Sequence, residues 1–115
     1  MVRRCFFVAE MDERLVGFSV GKMIGAIGGV GELESVAVDA ETRRLGVGRR
    51  LCAAVISWCR ELGAEGVELE VRCGSEGAIA LYRELGFVAV GRRGGYYREP
   101  AEDALLMQLE LAGSE

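Results

Sequence analysis

The sequence predicts a mixed α/β domain with elements in the order β-β-β-α-β-α-β-β. Three observations carry that reading. Two β-prone runs lie on either side of a short charged turn near the N-terminus. Apolar residues recur at three- and four-residue spacing between Arg49 and Leu62. A cleanly alternating run, Val67 to Cys73, then sits between two helical stretches, so that a helix joins strands able to pair in parallel.

Taken in order, Arg4 to Glu10 is rich in Phe and Val and stops at the polar turn Met11-Asp12-Glu13-Arg14. Leu15 to Met23 forms the second arm of an antiparallel hairpin. Gly25 to Gly31 reads as a loop and Glu32 to Val38 as a third strand. Its alternation puts Leu33, Ser35 and Ala37 on one face and Glu34, Val36 and Val38 on the other. The first helix buries Leu51, Cys52, Val55, Ile56, Cys59 and Leu62 and stops at Gly63. In the next strand Val67, Leu69 and Val71 point inward, with Glu68, Glu70 and Arg72 outward. A second helix, Glu76 to Leu85, ends at Gly86 and Phe87 to Gly91 is a strand. Arg92 to Pro100 reads as a loop and Asp103 to Leu111 as the last strand.

With 115 residues the chain makes one domain, residues 1–115, around a single core. Its 17 glycines are roughly twice the usual share, but they are not periodic and there is one proline, which excludes collagen and Pro/Gly-rich disorder. Fourteen basic and 18 acidic residues leave a net charge of −4, which argues against a nucleic-acid partner. There is no histidine, so Ser-His-Asp and Cys-His catalysis and the common His-containing metal sites are excluded, and no metal is expected. Carboxylates, tyrosines, lysine and thiols remain for proton chemistry. The four cysteines form no C-x-x-C pair and read as reduced thiols in a cytoplasmic protein. Arg3-Arg4 is followed by an apolar run that ends at Ala9, too short for an export signal, and no run spans a membrane.

The most informative segment is Val36-Ala37-Val38 followed by Arg43-Arg44-Leu45-Gly46-Val47-Gly48-Arg49: a strand, a turn, and a helix whose first turn is glycine-rich. Unpaired N–H groups at a helix start, with glycines that admit a ligand to the backbone and arginines nearby, make an anion site. A Walker loop would need Lys-Ser/Thr where Arg49-Arg50 stand, and a dinucleotide fingerprint would need a glycine in place of Leu51. What remains is R-x-x-G-x-G. Downstream lie Leu69-Glu70-Val71-Arg72, then Ala78 to Phe87 with its A-L-Y-x-x-L-G-F pattern, then Arg93 to Tyr97.

Together these motifs resemble the GNAT acetyltransferase superfamily, and within it the RimI-type ribosomal-protein-alanine N-acetyltransferases, from about residue 5 to residue 111. The resemblance implies a mostly antiparallel central sheet with a splayed central strand pair and flanking helices, without the family's usual N-terminal strand and helix pair. It implies transfer of acetyl from acetyl-CoA to a protein N-terminal amine, that of a ribosomal protein alanine by analogy. Acetylation of a small-molecule amine and a non-catalytic acetyl-CoA-binding subunit are the alternatives. Val36, Ala37 and Val38 would pair with the pantetheine arm, and Arg43, Arg44, Leu45, Gly46, Val47, Gly48 and Arg49 would wrap the pyrophosphate. Glu70 takes the position of the family's base and Tyr82 that of its acid. Without the resemblance, Glu70 reads as the wet face of its strand and Tyr82 as core packing. Tyr96 and Tyr97 would position the acceptor. Ser75 stands where the family commonly has an asparagine on the cofactor arm, which implies weaker cofactor binding. The missing N-terminal elements form one wall of the acceptor groove, so a partner subunit, such as a second copy of the chain, is one way to complete it.

Overall fold

The computed structural model describes residues 1–25, 29–43, 45–98 and 101–111. Six strands and two α-helices follow the expected order. They are β1 (Val2–Met11), β2 (Arg14–Ile24), β3 (Val30–Val38), α1 (Val47–Glu61), β4 (Gly66–Arg72), α2 (Glu76–Glu84), β5 (Val88–Arg98) and β6 (Ala101–Glu110). A single 3-10 turn, Ala40–Thr42, leads into α1. The strands form one sheet in the order β1-β2-β3-β4-β6-β5. The β3–β4 pair is parallel and the other neighbours are antiparallel.

The hairpin between β1 and β2 turns on Asp12 and Glu13, both at positive φ (51° and 64°), which matches the right-handed twist of the flanking strands. Helix α1 lies across β1 to β4 and buries Leu51, Cys52, Val55, Ile56 and Cys59, the stripe that the spacing predicts except Leu62, which is the half-buried C-cap beyond the helix. Below it Val67, Leu69 and Val71 supply the core face of β4, and Phe87 and Met107 are 1% exposed. Ser19, buried in β2, donates its hydroxyl to the Leu51 carbonyl at 3.0 Å and so ties α1 to the sheet.

Two expectations are corrected. Strand β3 does not alternate in phase throughout: Val20 pairs with Ser35 while Gly21 pairs with Leu33, so Glu34 is an unpaired bulge residue. The extra residue reverses the side-chain phase. Leu33 is buried, Ser35 and Ala37 are exposed, and Val36 turns to pack against the core. The segment from Arg92 is also not a loop. As far as Arg98 it continues β5, because β6 offers a partner edge on either side of an irregular stretch: Arg92 pairs with Leu105, Arg93 with Ala104 and Tyr97 with Glu102. Gly94 and Gly95 lie within a break in register inside the strand. Of the expected Gly25–Gly31 loop, residues 26–28 lie outside the described residues, and Gly31 already belongs to β3.

Gly31 lets α1 sit close on the sheet. A methyl there would overlap Cys59 Sγ and lie 3.1 Å from Met23 Sδ. Gly31→Ala is expected to cost about 1–3 kcal/mol through overpacking. Adding Cys59→Ala should cost less in that background than in the wild type, as thermal unfolding followed by circular dichroism will read.

Candidate active site

Parallel β3 and β4 pair only between Val30–Glu32 and Gly66–Glu68. Beyond those residues the strands part, and the opening between them is the site. Its larger lobe, about 910 Å³, runs between three walls. One is the edge of β3 at Val36, Ala37 and Val38. The second is the approach to α1 at Arg43, Gly46, Gly48 and Arg49. The third is α2 with the turn before it, from Ser75 to Glu84. The smaller lobe, about 360 Å³, lies in the fork itself, lined by Leu33 to Val36, Leu69 to Arg72, Tyr97 and Phe18. Val36 and Tyr82 line both lobes.

Each wall has a local cause. On one side Val36, Ala37 and Val38 pair with Ser19, Phe18 and Gly17 of β2, whereas the side facing the opening has no strand neighbour. That leaves an edge able to take an extended ligand. Gly46 caps α1 in the left-handed region at φ 81°, where a side chain would be strained, and no side chain caps the helix. The first-turn N–H groups therefore have no partner within α1 and present the positive end of its dipole. Ser75 is the N-cap of α2, and its hydroxyl makes no capping bond.

The structure thus gathers Val36, Ala37, Val38, Arg43, Gly46, Gly48, Arg49 and Ser75 around the larger lobe. Leu45 is 59% exposed outside its lining, Val47 opens α1 without lining it, and Arg44 lies outside the described residues. Glu70, Tyr82 and Tyr97 meet in the smaller lobe. Tyr96 does not line it; its ring packs edge-on against Tyr97, with centroids 5.2 Å apart.

Several polar partners in the site had no local sequence signal. Arg93 Nη2 stands 3.0 Å from Glu70 Oε2, and the Arg93 guanidinium lies over Tyr96 at 4.9 Å. Arg49 pairs with Glu84 Oε1 at 2.7 Å across the mouth of the larger lobe. Outside both lobes, Glu68 takes a hydrogen bond from the Gln108 amide at 3.1 Å. The three pairs are 23, 35 and 40 residues apart in sequence, on elements whose pairing had to be known first.

Tyr82 packs edge-on against Phe87 with centroids 5.9 Å apart. Burial, then the neighbouring Cys52 and Tyr97, push its phenol up to about 12. Tyr97 is also raised, first by burial and then by the charge of Glu70. The Tyr82 shift has a consequence for stability. Because the folded value exceeds the unfolded one, its contribution is complete below pH ~10 and is lost as pH rises toward ~12. Wild type is expected to lose on the order of 2 kcal/mol over that window relative to Tyr82→Phe, as denaturant titrations at stepped pH will measure.

The family model for the acetyltransferase (GNAT) family matches residues 2–87. The chain belongs to that family. Among the proteins this GNAT domain is similar to is an N-alpha-acetyltransferase of Sulfurisphaera tokodaii, 40% identical over 92% of this chain and 69% of that protein. It superposes on the crystal structure of the ribosomal-protein-S18-alanine N-acetyltransferase from Escherichia coli with a TM-score of 0.83. The two are 31% identical over 98% of this chain and 74% of that one. It is similar as well to a putative streptothricin acetyltransferase from Bacillus anthracis in complex with acetyl coenzyme A. There the TM-score is 0.82 and the identity 27%, covering 95% of this chain and 63% of that one. These relatives are longer, and the chain spans only 29% of an uncharacterised Mycobacterium leprae protein to which it is 37% identical. As a GNAT enzyme the domain is an acetyl-CoA-dependent N-acetyltransferase, with acetyl-CoA as cosubstrate. Among the described residues no helix is long and apolar enough to cross a membrane.

Proposed function

We propose that this chain acetylates the α-amino group of a protein N-terminus, with an alanine-starting ribosomal protein as the acceptor that the Escherichia coli relative suggests. The observation that carries the reading is the fork between β3 and β4, where Glu70, Tyr82 and Tyr97 line one small lobe that opens into the long cleft. The long cleft suits acetyl-CoA. Its pyrophosphate would rest on the N–H groups opening α1, beside Arg43 and Arg49, and its pantetheine arm would add to the free edge of β3. Ser75 offers the arm a hydroxyl from the opposite wall.

The thioester would then lie where the lobes join, between Val36 and Tyr82. The acceptor enters the smaller lobe, its backbone guided by Tyr97, against which Tyr96 packs. Glu70 accepts the proton that the ammonium must lose before nitrogen can attack. Nitrogen bonds to the carbonyl carbon, the tetrahedral intermediate collapses with cleavage of the C–S bond, CoA leaves as thiolate, and the second proton on nitrogen passes to solvent. A phenol near 12 is a weaker acid than a free thiol near 8.5, so full proton transfer to the departing sulfur runs uphill. The acid role of Tyr82 therefore narrows to holding its O–H toward the sulfur while negative charge develops there. Four cysteines without a disulfide support a reducing, cytoplasmic setting for this reaction.

A similarity to nourseothricin and streptothricin acetyltransferases supports a second acceptor class, small amines. The release of CoA thiol on adding either an alanine-starting peptide or free amines separates the two. Turnover of the peptide is expected. Turnover confined to small amines transfers the site to the second class, and saturable acetyl-CoA binding with no turnover makes the chain a binding subunit.

A further inference from the structure

The start of β6 places a carboxylate against Arg72, which lines the smaller lobe, and against Gly74, the neighbour of Ser75 in the larger. Glu102 Oε2 accepts the Gly74 N–H at 2.7 Å, and Glu102 Oε1 accepts a hydrogen bond from Arg72 Nη1 at 3.2 Å. The Arg72 guanidinium lies over the Tyr97 ring, 4.3 Å from its centroid. Gly74 precedes Ser75, which caps α2 and lines the cosubstrate lobe, and Tyr97 lines the acceptor lobe. One side chain therefore reaches the turn that launches Tyr82 and, through an arginine, the ring that faces Glu70. The fit at the turn is close, since a methyl on Gly74 would overlap the Glu102 carboxylate.

The strand pairing does not need this carboxylate. Strand β6 pairs with β4 on one side and β5 on the other, and the Cys73 N–H already bonds to the Asp103 carbonyl at 3.0 Å. The two contacts of Glu102 go instead to groups whose placement decides where acetyl donor and acceptor meet. The next residue acts alike on the neighbouring strand. Asp103 accepts the Gly95 N–H at 2.9 Å and Arg92 Nε at 3.0 Å, holding the irregular stretch that carries Tyr96.

We infer that Glu102 is a positioning residue that sets Tyr97, through Arg72, against the α2 turn. The inference rests on the reading of the fork as the acceptor lobe. The geometry separates its two contacts by chemistry. In Glu102→Gln a single carbonyl oxygen remains for two donors, and in either amide orientation the negative charge that draws Arg72 is lost. In Glu102→Ala both contacts go.

Glu102→Gln is expected to raise the KM of an alanine-starting peptide about tenfold, while the calorimetric Kd for acetyl-CoA stays within about twofold. Arg72→Gln should match it, and the double variant should be no worse than either single one. Glu102→Ala should weaken acetyl-CoA as well. The Tyr97 ring-proton resonances, recorded with no acceptor present, should move alike in Glu102→Gln and Arg72→Gln. Unmoved Tyr97 resonances overturn the inference whether or not any peptide turns over. So does an unchanged peptide KM in folded Glu102→Gln, or a double variant whose effects multiply. If wild-type protein acetylates no peptide while the Tyr97 shifts behave as stated, the acceptor assignment fails and the positioning role stands.

Discussion

Glu70→Gln is expected to lower the rate of CoA release with a peptide acceptor by about 10²–10³-fold near neutral pH. The amide keeps the size and much of the hydrogen bonding of the side chain but cannot take a proton. An α-amino group has an ordinary pKa of ~7.7–8.0, so near neutrality most acceptor arrives as ammonium and needs that proton removed. The deficit should therefore narrow as pH rises past about 8, where free amine is supplied by the solvent. Binding of acetyl-CoA should not change, because Glu70 lines the fork and not the long cleft. The 3.0 Å pair with Arg93 sharpens the expectation: the incoming cation competes with a guanidinium for one carboxylate. A rate deficit that is constant from pH 6 to about 10 would remove Glu70 from proton transfer. A thiol-release assay across that range decides.

Tyr82→Phe is expected to cost about 10²-fold in kcat, the scale of losing one aimed donor to developing negative charge. Its pH signature differs from that of Glu70→Gln. With the phenol pushed up to about 12, wild-type Tyr82 is protonated throughout the neutral and mildly alkaline range. The ratio of wild-type to variant kcat should accordingly be flat from pH 6 to about 10, and an alkaline fall in wild type before that point cannot belong to this residue. Loss of packing is a small part of the effect, since phenylalanine keeps the edge contact with Phe87. A variant whose kcat equals wild type, with acetyl-CoA bound normally, would leave the departing sulfur without its assigned donor.

Much of this was legible in the residues. The α1 stripe from Leu51 to Cys59 and the alternation of β4 follow from apolar spacing alone, because each element buries one face in the common core. The glycine-rich start of α1 was legible for a similar reason: only glycine takes the left-handed cap at Gly46 without strain. The β3 phase was misread since a bulge at Glu34 has no signature in a single strand; it exists only in relation to β2. The tail of β5 was misread because its pairing with β6, at Arg92 and Arg93 and again at Tyr97 and Arg98 on either side of a break, exists only in relation to that second strand. In the site, the walls could be read but their tethers could not. Arg93 on Glu70, Glu84 on Arg49 and Glu102 on Gly74 and Arg72 are side chains from strands or helices far apart in sequence, brought together by the parallel β3–β4 crossover and the return of β6.

The direct test is an atomic structure of the protein with acetyl-CoA. The pyrophosphate is expected on the backbone nitrogens at the head of α1, the pantetheine amides on the edge of Val36 to Val38, and the acetyl carbon in the gap bounded by Glu70 and Tyr82. A nucleotide seated elsewhere, with the gap between β3 and β4 left empty, would contradict it.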